Sequence, residues 1–438
     1  MYFIKIIIFL LSITQLASSN DLKKFDLNRL QYIDSLSNKL IEQKEFTGVS
    51  VLVKSSNQSF YNKNFGFGDI EKQTPIDENT MFRIFSMTKP VTSVALMILV
   101  ERGLLNLFDP ISMYLPEFKN MKKVNVINLP IIKHLFNFKT KVKNQITIFH
   151  LLTHTSGMYY DFSSIYGSVY NEYIKNPFSI ALLSNIDRSS IDEGSLTLEK
   201  FSQEMAKLPL LFEPGSDFNY GINTAILGRI IEVVSKKSFE EFLKDEIFIP
   251  LDMYNTSFNL NNEVKNLNYV YENINGEMVK SQTLNDTMLN SIPLGGVGLI
   301  SNISDYSRFC EMLLNKGSYK NKKILSKNSI ELMTKNHIKY ILGNNANSIS
   351  MRKSNVFIDG VYETIWNMDG FGLGFSLNEN INHQMSIASN SRFGWMGAAN
   401  TFFFIDPKNN FYSIIMAQSL LNSNLIKQYE NVIYQALN

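Results

Sequence analysis

Apolar and polar positions change period several times along this chain. Leu30, Ile33, Leu36 and Leu40 fall at helical spacing within residues 26–45 and predict a helix. Residues 49–54 and 59–66 flank the polar turn 55–58 and predict a hairpin. The other end mirrors this. Residues 401–405 and 411–418 are strand-like runs separated by Asp406-Pro407-Lys408-Asn409-Asn410, and 425–437 reads as a closing helix. Between the ends helical spacing dominates, as at 224–234 and at 239–247, where Ser238 and Glu241 form a capping box. Strands at both ends with helices between predict an α/β (α+β) fold, an antiparallel sheet built from both chain ends and flanked by helices. The expected division is a sheet domain of residues 20–110 and 290–438 with a mostly helical inserted domain, 111–289. The Asn- and Lys-rich stretches 119–143 and 343–355 are expected to be solvated loops.

Composition narrows the class. The chain has 438 residues, 45% of them hydrophobic and 12% aromatic, enough for a large core. Forty-two basic against 40 acidic residues leave a formal charge of +2, which argues against nucleic acid as a partner. Residues 1–19 read as a signal peptide: Lys5 precedes the apolar run 6–13, and Ala17-Ser18-Ser19 supplies small residues for cleavage. The run is short for a membrane span, so an exported protein (periplasmic or secreted) with no stable membrane insertion after cleavage is expected, the alternative being an uncleaved N-terminal anchor. Cys310 is the one cysteine, so no intramolecular disulfide forms; Tyr306, Phe309, Leu313 and Leu314 share its helical face and predict a buried packing role.

The segment Phe82-Arg83-Ile84-Phe85-Ser86-Met87-Thr88-Lys89-Pro90 runs into the apolar stretch 91–100. Proline lacks an N–H, so a helix containing Pro90 begins near Ser86. The positive end of that helix favours developing negative charge at Ser86, whose own N–H is available to an oxyanion. Lys89 lies three residues on, on the same face, and a buried lysine can exist as an amine that accepts the hydroxyl proton. Ser-x-x-Lys is weak by itself, since Ser350-Met351-Arg352-Lys353 matches it too.

The context carries more. In order follow Ile146-Thr147-Ile148-Phe149-His150-Leu151-Leu152-Thr153-His154-Thr155-Ser156-Gly157, Glu213-Pro214-Gly215, Phe218-Asn219-Tyr220-Gly221, Leu294-Gly295-Gly296-Val297-Gly298-Leu299 and Phe393-Gly394-Trp395-Met396-Gly397-Ala398. This series resembles the serine β-lactamase-related family, which includes class C β-lactamases, D-alanyl-D-alanine carboxypeptidases and family VIII carboxylesterases. The likeness spans residues 48–418. It implies a β-lactamase/transpeptidase-like fold with Ser86 as nucleophile, Lys89 as its partner and Tyr220 as the group that carries a proton to the leaving group, either Lys89 or Tyr220 being the base. The N–H groups of Ser86 and Ala398 would form the oxyanion site. Trp395, Met396, Gly397, Ile222 and Asn223 would bind substrate.

Two departures set the expected substrate. Trp395-Met396-Gly397 stands where β-lactamases carry Lys-Thr-Gly, which removes a cation for a substrate carboxylate and favours neutral esters; Arg392 is near enough in sequence to replace it. Asn223 falls one position later than in Tyr-x-Asn, a turn of about 100° on a helix, with Ile222 adding apolar lining. The i, i+4 pair His150 and His154 lacks a third ligand and reads as packing and hydrogen bonding, with no metal or cofactor expected. Gly295, Gly296 and Gly298 read as tight backbone packing, and Phe402, Phe403 and Phe404 as sheet core. The sequon Asn57-Gln58-Ser59 matters only in a eukaryotic secretory route. The expected function is a serine hydrolase working through an acyl-enzyme, a carboxylesterase on neutral esters. The alternatives are a β-lactamase or D-alanyl-D-alanine carboxypeptidase on peptidoglycan-like substrates, and a non-catalytic binding module.

Overall fold

The computed structural model describes residues 24–127, 136–159, 197–258, 264–285, 292–342, 370–379, 387–420 and 423–438. The signal-peptide reading of 1–19, the second Ser-x-x-Lys at Ser350 and the loop expected at 343–355 lie outside them.

A helix Tyr32–Glu42, its buried side set by Ile33, Ser37 and Leu40, leads into β1 (Gly48–Lys54) and β2 (Ser59–Asp69), the hairpin read from the sequence. β3 (Thr74–Pro75) and β4 (Phe82–Arg83) precede the buried helix Thr88–Glu101. Then come β5 (Lys122–Ile127), β6 (Phe136–Lys141) and the helices Ile148–Leu152, Leu198–Met205, Asn223–Ser235 and Phe239–Leu243. The capping box at Ser238 and Glu241 is present, and the last helix continues as a π-helical turn Lys244–Phe248. Short strands follow: β7 (Ser257–Phe258), β8 (Tyr271–Ile274), β9 (Glu277–Lys280) and β10 (Leu299–Ser301). The helix Ile303–Leu314 buries Tyr306, Phe309, Cys310, Leu313 and Leu314, so the lone thiol is a packing group. The chain closes with β11 (Ser318–Tyr319), β12 (Lys322–Lys323), β13 (Gly370–Phe371), β14 (Ser376–Leu377), β15 (Phe393–Gly397), β16 (Thr401–Asp406), β17 (Phe411–Ala417) and the helix Ser423–Tyr434.

The main sheet runs β13-β14-β15-β16-β17-β1-β2-β3, and every pairing in it is antiparallel. Its centre joins the two chain ends: β1 pairs β17 from Val49↔Ala417 to Lys54↔Tyr412. Successive side chains on a strand point to opposite faces, and here both faces are covered. Val49, Val51, Val53, Phe402, Phe404, Phe411 and Ile415 pack with the terminal helices. Leu52, Phe403, Ile405, Tyr412, Ile414 and Met416 join the larger core around the Thr88–Glu101 helix. That double burial explains why β16 and β17 read as near-continuous apolar runs, a pattern more usual in parallel sheets. The helix Thr88–Glu101 is buried from Thr88 to Leu99, which accounts for its apolar residues on every side.

One expectation fails. Residues 122–127 and 136–141, inside the stretch expected to be a solvated loop, form the antiparallel hairpin β5–β6. Lys122, Lys123, Lys139 and Lys141, with Asn125 and Asn137, obscure the strand period, and the hairpin is pinned through Val124, which is buried and whose N–H bonds the Leu210 carbonyl at 2.9 Å. Among the described residues no helix is long and apolar enough to cross a membrane.

Candidate active site

The turn that presents Ser86 joins β4 to the buried helix. β4 pairs with β10 (Arg83↔Ile300), the Ile84 N–H bonds the Leu299 carbonyl at 3.1 Å, and the Gln418 side chain bonds both the N–H and the carbonyl of Arg83. Phe85 adopts φ +41°, a conformation that costs a non-glycine residue about 1–3 kcal/mol and persists only where its surroundings impose it. Residues Phe85–Met87 make one 3₁₀ turn before the helix begins at Thr88, so Pro90 sits in the first turn, where the missing N–H leaves no bond unmade. The Met87 carbonyl accepts from the Tyr306 hydroxyl at 2.9 Å, and the Thr88 hydroxyl accepts from the Leu299 N–H at 3.1 Å.

Three reactive groups meet there. Lys89 Nζ is 3.1 Å from Ser86 Oγ and donates to the Gly296 carbonyl at 2.7 Å; Tyr220 OH is 2.7 Å from the same Oγ. Lys89 Nζ also stands 4.7 Å from the centre of the Tyr220 ring. Ser86 is half-buried while Lys89 is 1% exposed, so the hydroxyl is within reach of a substrate and the amine is not. Burial disfavours the ammonium and holds Lys89 well below the ordinary lysine range. The Gly295-Gly296 segment thus does more than pack: its carbonyls take Lys89 and, at 2.7 Å, the Thr92 hydroxyl.

Tyr220 is held by His154. The Asn219 N–H bonds the His154 carbonyl at 2.9 Å, the Gly221 N–H bonds His154 Nδ1 at 3.3 Å, and the His154 and Tyr220 rings lie 4.9 Å apart. Asn223 Nδ2 lies 2.8 Å from the same Nδ1. Nδ1 accepts these bonds, so the ring proton sits on Nε2, which is buried with no hydrogen-bond partner among the described residues. Burial first, then the charge of Lys89, keep His154 neutral by pushing its pKa well down. Gly221 has no substitute here, because a Cβ would meet the Tyr159 Cα at 2.6 Å. His150 instead caps its own helix, its Nδ1 accepting from the Thr147 N–H at 3.2 Å, with its pKa lowered to about 4 by burial. The two histidines therefore serve hydrogen bonding and packing; among the described residues no cluster of three metal-ligating side chains occurs.

The third segment lies on β15, and strand alternation divides it. Trp395 faces the site, its ring 5.4 Å from Tyr220 and 5.3 Å from Phe371. Gly397 abuts the Ser86 turn so closely that a Cβ would stand 2.3 Å from the Ile84 carbonyl oxygen, which sets half-buried Ala398 beside that turn.

Several expected substrate contacts are corrected. Met396 points to the opposite face and packs with the terminal helices. Arg392 shares that parity: its guanidinium pairs with Glu430 at 2.5 Å, over the Phe404 ring, and does not replace the missing lysine. Asn223 is fully buried, its Oδ1 accepting from the Ser156 hydroxyl and its Nδ2 facing His154, so it braces the Tyr220 turn from behind and does not bind substrate. Ile222 is buried in the larger core at the start of its helix. Packing and hydrogen bonding were expected of His154, but its place behind Tyr220 was not, and the roles of Ser156 and Gln418 were not read from the sequence. A His and a Ser within one short motif were the available signal for the first two; nothing local marks Gln418.

Comparison with known proteins agrees with this fold. The Beta-lactamase family profile matches residues 33–435. Protein Rv1367c of Mycobacterium tuberculosis is 26% identical over 359 residues, 81% of each chain. Esterase EstB of Burkholderia gladioli is 28% identical over 226 residues, 52% of this chain and 50% of the esterase. Among solved structures, EstCE1, a hydrolase with promiscuous acyltransferase activity, superposes with a TM-score of 0.71 at 23% identity, covering 93% of this chain and 98% of that one. LovD, the simvastatin synthase of Aspergillus terreus, gives 0.75 at 20% identity, covering 93% and 98%. With an antiparallel sheet closed by both chain ends, a serine at the start of a buried helix and a profile match over most of its length, this chain belongs to the beta-lactamase family of serine hydrolases.

Proposed function

We propose that this protein is a carboxylesterase acting on neutral esters through an acyl-enzyme on Ser86. The observation that carries the reading is the convergence on Ser86 Oγ of Tyr220 OH at 2.7 Å and Lys89 Nζ at 3.1 Å, with the amine buried and its pKa driven down. In the first half-reaction Ser86 Oγ attacks the ester carbonyl while its proton passes to the Lys89–Tyr220 pair. The carbonyl oxygen takes up negative charge facing the N–H groups of Ser86 and Ala398. Collapse breaks the bond to the alkoxy group, which leaves as an alcohol with the proton delivered through Tyr220. Water then repeats the sequence on the acyl-enzyme, releasing the carboxylic acid and restoring Ser86.

The preference for neutral esters rests on Trp395 in the third segment and on Arg392, whose charge is engaged by Glu430. The esterase name of EstB supports it. We further infer that residues 1–19 direct export and that 111–289 act as an inserted domain carrying Tyr220. The test sets hydrolysis of short-chain p-nitrophenyl esters beside that of a chromogenic cephalosporin, with Ser86→Ala as control. Ester turnover that vanishes in Ser86→Ala, with little cephalosporin turnover, is expected. Efficient cephalosporin hydrolysis would move the protein to the β-lactamase or carboxypeptidase reading. Turnover of neither, with no fluorophosphonate labelling of Ser86, would leave a binding module.

A further inference from the structure

One residue grips the chain on both sides of Tyr220. The His154 carbonyl accepts the Asn219 N–H at 2.9 Å, its Nδ1 accepts the Gly221 N–H at 3.3 Å, and its ring lies 4.9 Å from the Tyr220 ring between them. Further bonds close a circuit behind this grip. Asn223 Nδ2 donates to Nδ1 at 2.8 Å, Asn223 Oδ1 takes the Ser156 hydroxyl, Ser156 Oγ takes the Met158 N–H at 3.0 Å, and the Met158 carbonyl takes Asn219 Nδ2 at 3.2 Å.

Packing alone does not account for an imidazole here. His154 is fully buried, and its Nε2 has no hydrogen-bond partner among the described residues. A phenyl ring would fill the space beside Phe218 and Phe371, whose ring centres lie 6.1 and 5.5 Å away, without stranding a donor, and a stranded donor is destabilising. His154 also holds φ +56°, a left-handed conformation that a residue with a Cβ keeps only where its surroundings impose it. What the imidazole adds is Nδ1, an acceptor on which two donors converge, and the neutral ring that burial enforces is the form that has it.

We propose that His154 is a positioning residue for the acid–base chemistry at Ser86: its Nδ1 sets where the Tyr220 hydroxyl stands, and so whether the leaving alcohol receives its proton. This inference rests on the esterase mechanism proposed above. Tyr220 OH is 2.7 Å from Ser86 Oγ, and a general acid works only within hydrogen-bond reach of the group it protonates, so a small swing of the 219–221 turn takes it out of range. The loss falls most heavily on leaving groups that need a proton. An alkoxy group departs as the alcohol, whereas p-nitrophenolate is stable enough to depart as the anion.

The test compares ethyl butyrate with p-nitrophenyl butyrate in the full chain, with turnover counted per fluorophosphonate-reactive Ser86 so that unfolded protein does not enter. His154→Phe keeps a ring and loses the acceptor; His154→Asn loses the ring and keeps an acceptor oxygen bonded to Cγ, as Nδ1 is. In His154→Phe, kcat/KM is expected to fall at least about tenfold further on the ethyl ester than on the p-nitrophenyl ester, through kcat with KM little changed, and His154→Asn is expected to recover most of that difference. His154→Gln, whose amide lies one bond too far out, is expected to behave like His154→Phe, so the contrast of Asn with Gln carries the test if the Phe variant does not fold. Tyr220→Phe is expected to show the same split between esters, and adding His154→Phe to it to cost little more. Equal loss on both esters, loss confined to the yield of reactive Ser86, or additive loss in the double variant would overturn the proposal and leave His154 a packing residue. A parent that does not hydrolyse the ethyl ester, or whose hydrolysis survives Ser86→Ala, would remove the mechanism beneath the inference and the inference with it, a failure visible before any variant at 154 is judged.

Discussion

A buried cation, Lys89, and a half-buried one, Arg392, lie on opposite sides of β15, and they are handled in opposite ways. Arg392 meets a carboxylate, Glu430, and the pair ties the sheet to the closing helix; burial pushes Glu430 upward and Arg392 opposes it. Lys89 meets the Ser86 hydroxyl, the Gly296 carbonyl and the Tyr220 ring, all neutral, and burial pushes it toward the amine. A cation held by a counter-charge stabilises position; an ammonium buried among neutral dipoles is driven toward the amine and becomes able to exchange its proton. Removal from water therefore yields a strut on one face, where a counter-charge is present, and a candidate reactive group on the other, beside neutral dipoles.

The strongest way to break this comparison is to exchange the amine. Lys89→Met is expected to lower kcat/KM for a p-nitrophenyl ester by about 10⁴-fold with the fold retained, measured by steady-state kinetics beside a thermal melt. Arg392→Met is expected to do the reverse. It should cost about 3–5 kcal/mol in urea denaturation by stranding Glu430, leave turnover per folded molecule unchanged, and recover most of the stability when Glu430→Met is added. Equal loss of activity in the Arg392 variant would show that it reaches the site after all. Tyr220→Phe is expected to reduce kcat by about 10²-fold while KM changes little, as the proposed proton transfer through its hydroxyl requires.

The smallest effect sharpens the electrostatics. Lys89 has its pKa lowered in the folded state, so between that pKa and 10.5 the unfolded chain binds more protons and stability rises with pH. Lys89→Met removes this dependence. The variant is expected to melt above the parent at neutral pH, with the gap closing as pH approaches 10.5, and a gap that widened instead would mean the native ammonium is stabilised.

Local signals explain why much was legible. The hairpin at 48–69, the strands β16 and β17 and the capping box at Ser238 are short-range patterns, and each was read near its observed bounds. Pro90 and the apolar run behind it located the turn that carries Ser86. Errors arose where the outcome depended on strand parity or on distant neighbours. Arg392 and Met396 were read by their nearness to Trp395, yet the register of β15 with β16, from Phe393↔Ile405 to Gly397↔Thr401, turns them to the far face. Asn223 was read by motif offset, and its actual partners, Ser156 and His154, are more than 60 residues away. The hairpin β5–β6 was hidden because lysine disguises a strand when its partner strand is also basic.

The sequence by itself determined the candidate groups and the local geometry that offers them: a helix whose first turn admits Pro90, a serine at its start, a lysine three residues on. Tertiary structure decided what state those groups are in. Lys89 is pushed toward the amine because Gly296, Tyr220 and the packed core, contributed by segments more than 100 residues distant, exclude water from it. Arg392 becomes a strut because a helix from the chain's end brings Glu430 to it. Charge state in a protein is set by the solvation that assembled neighbours allow, and no local pattern encodes that sum.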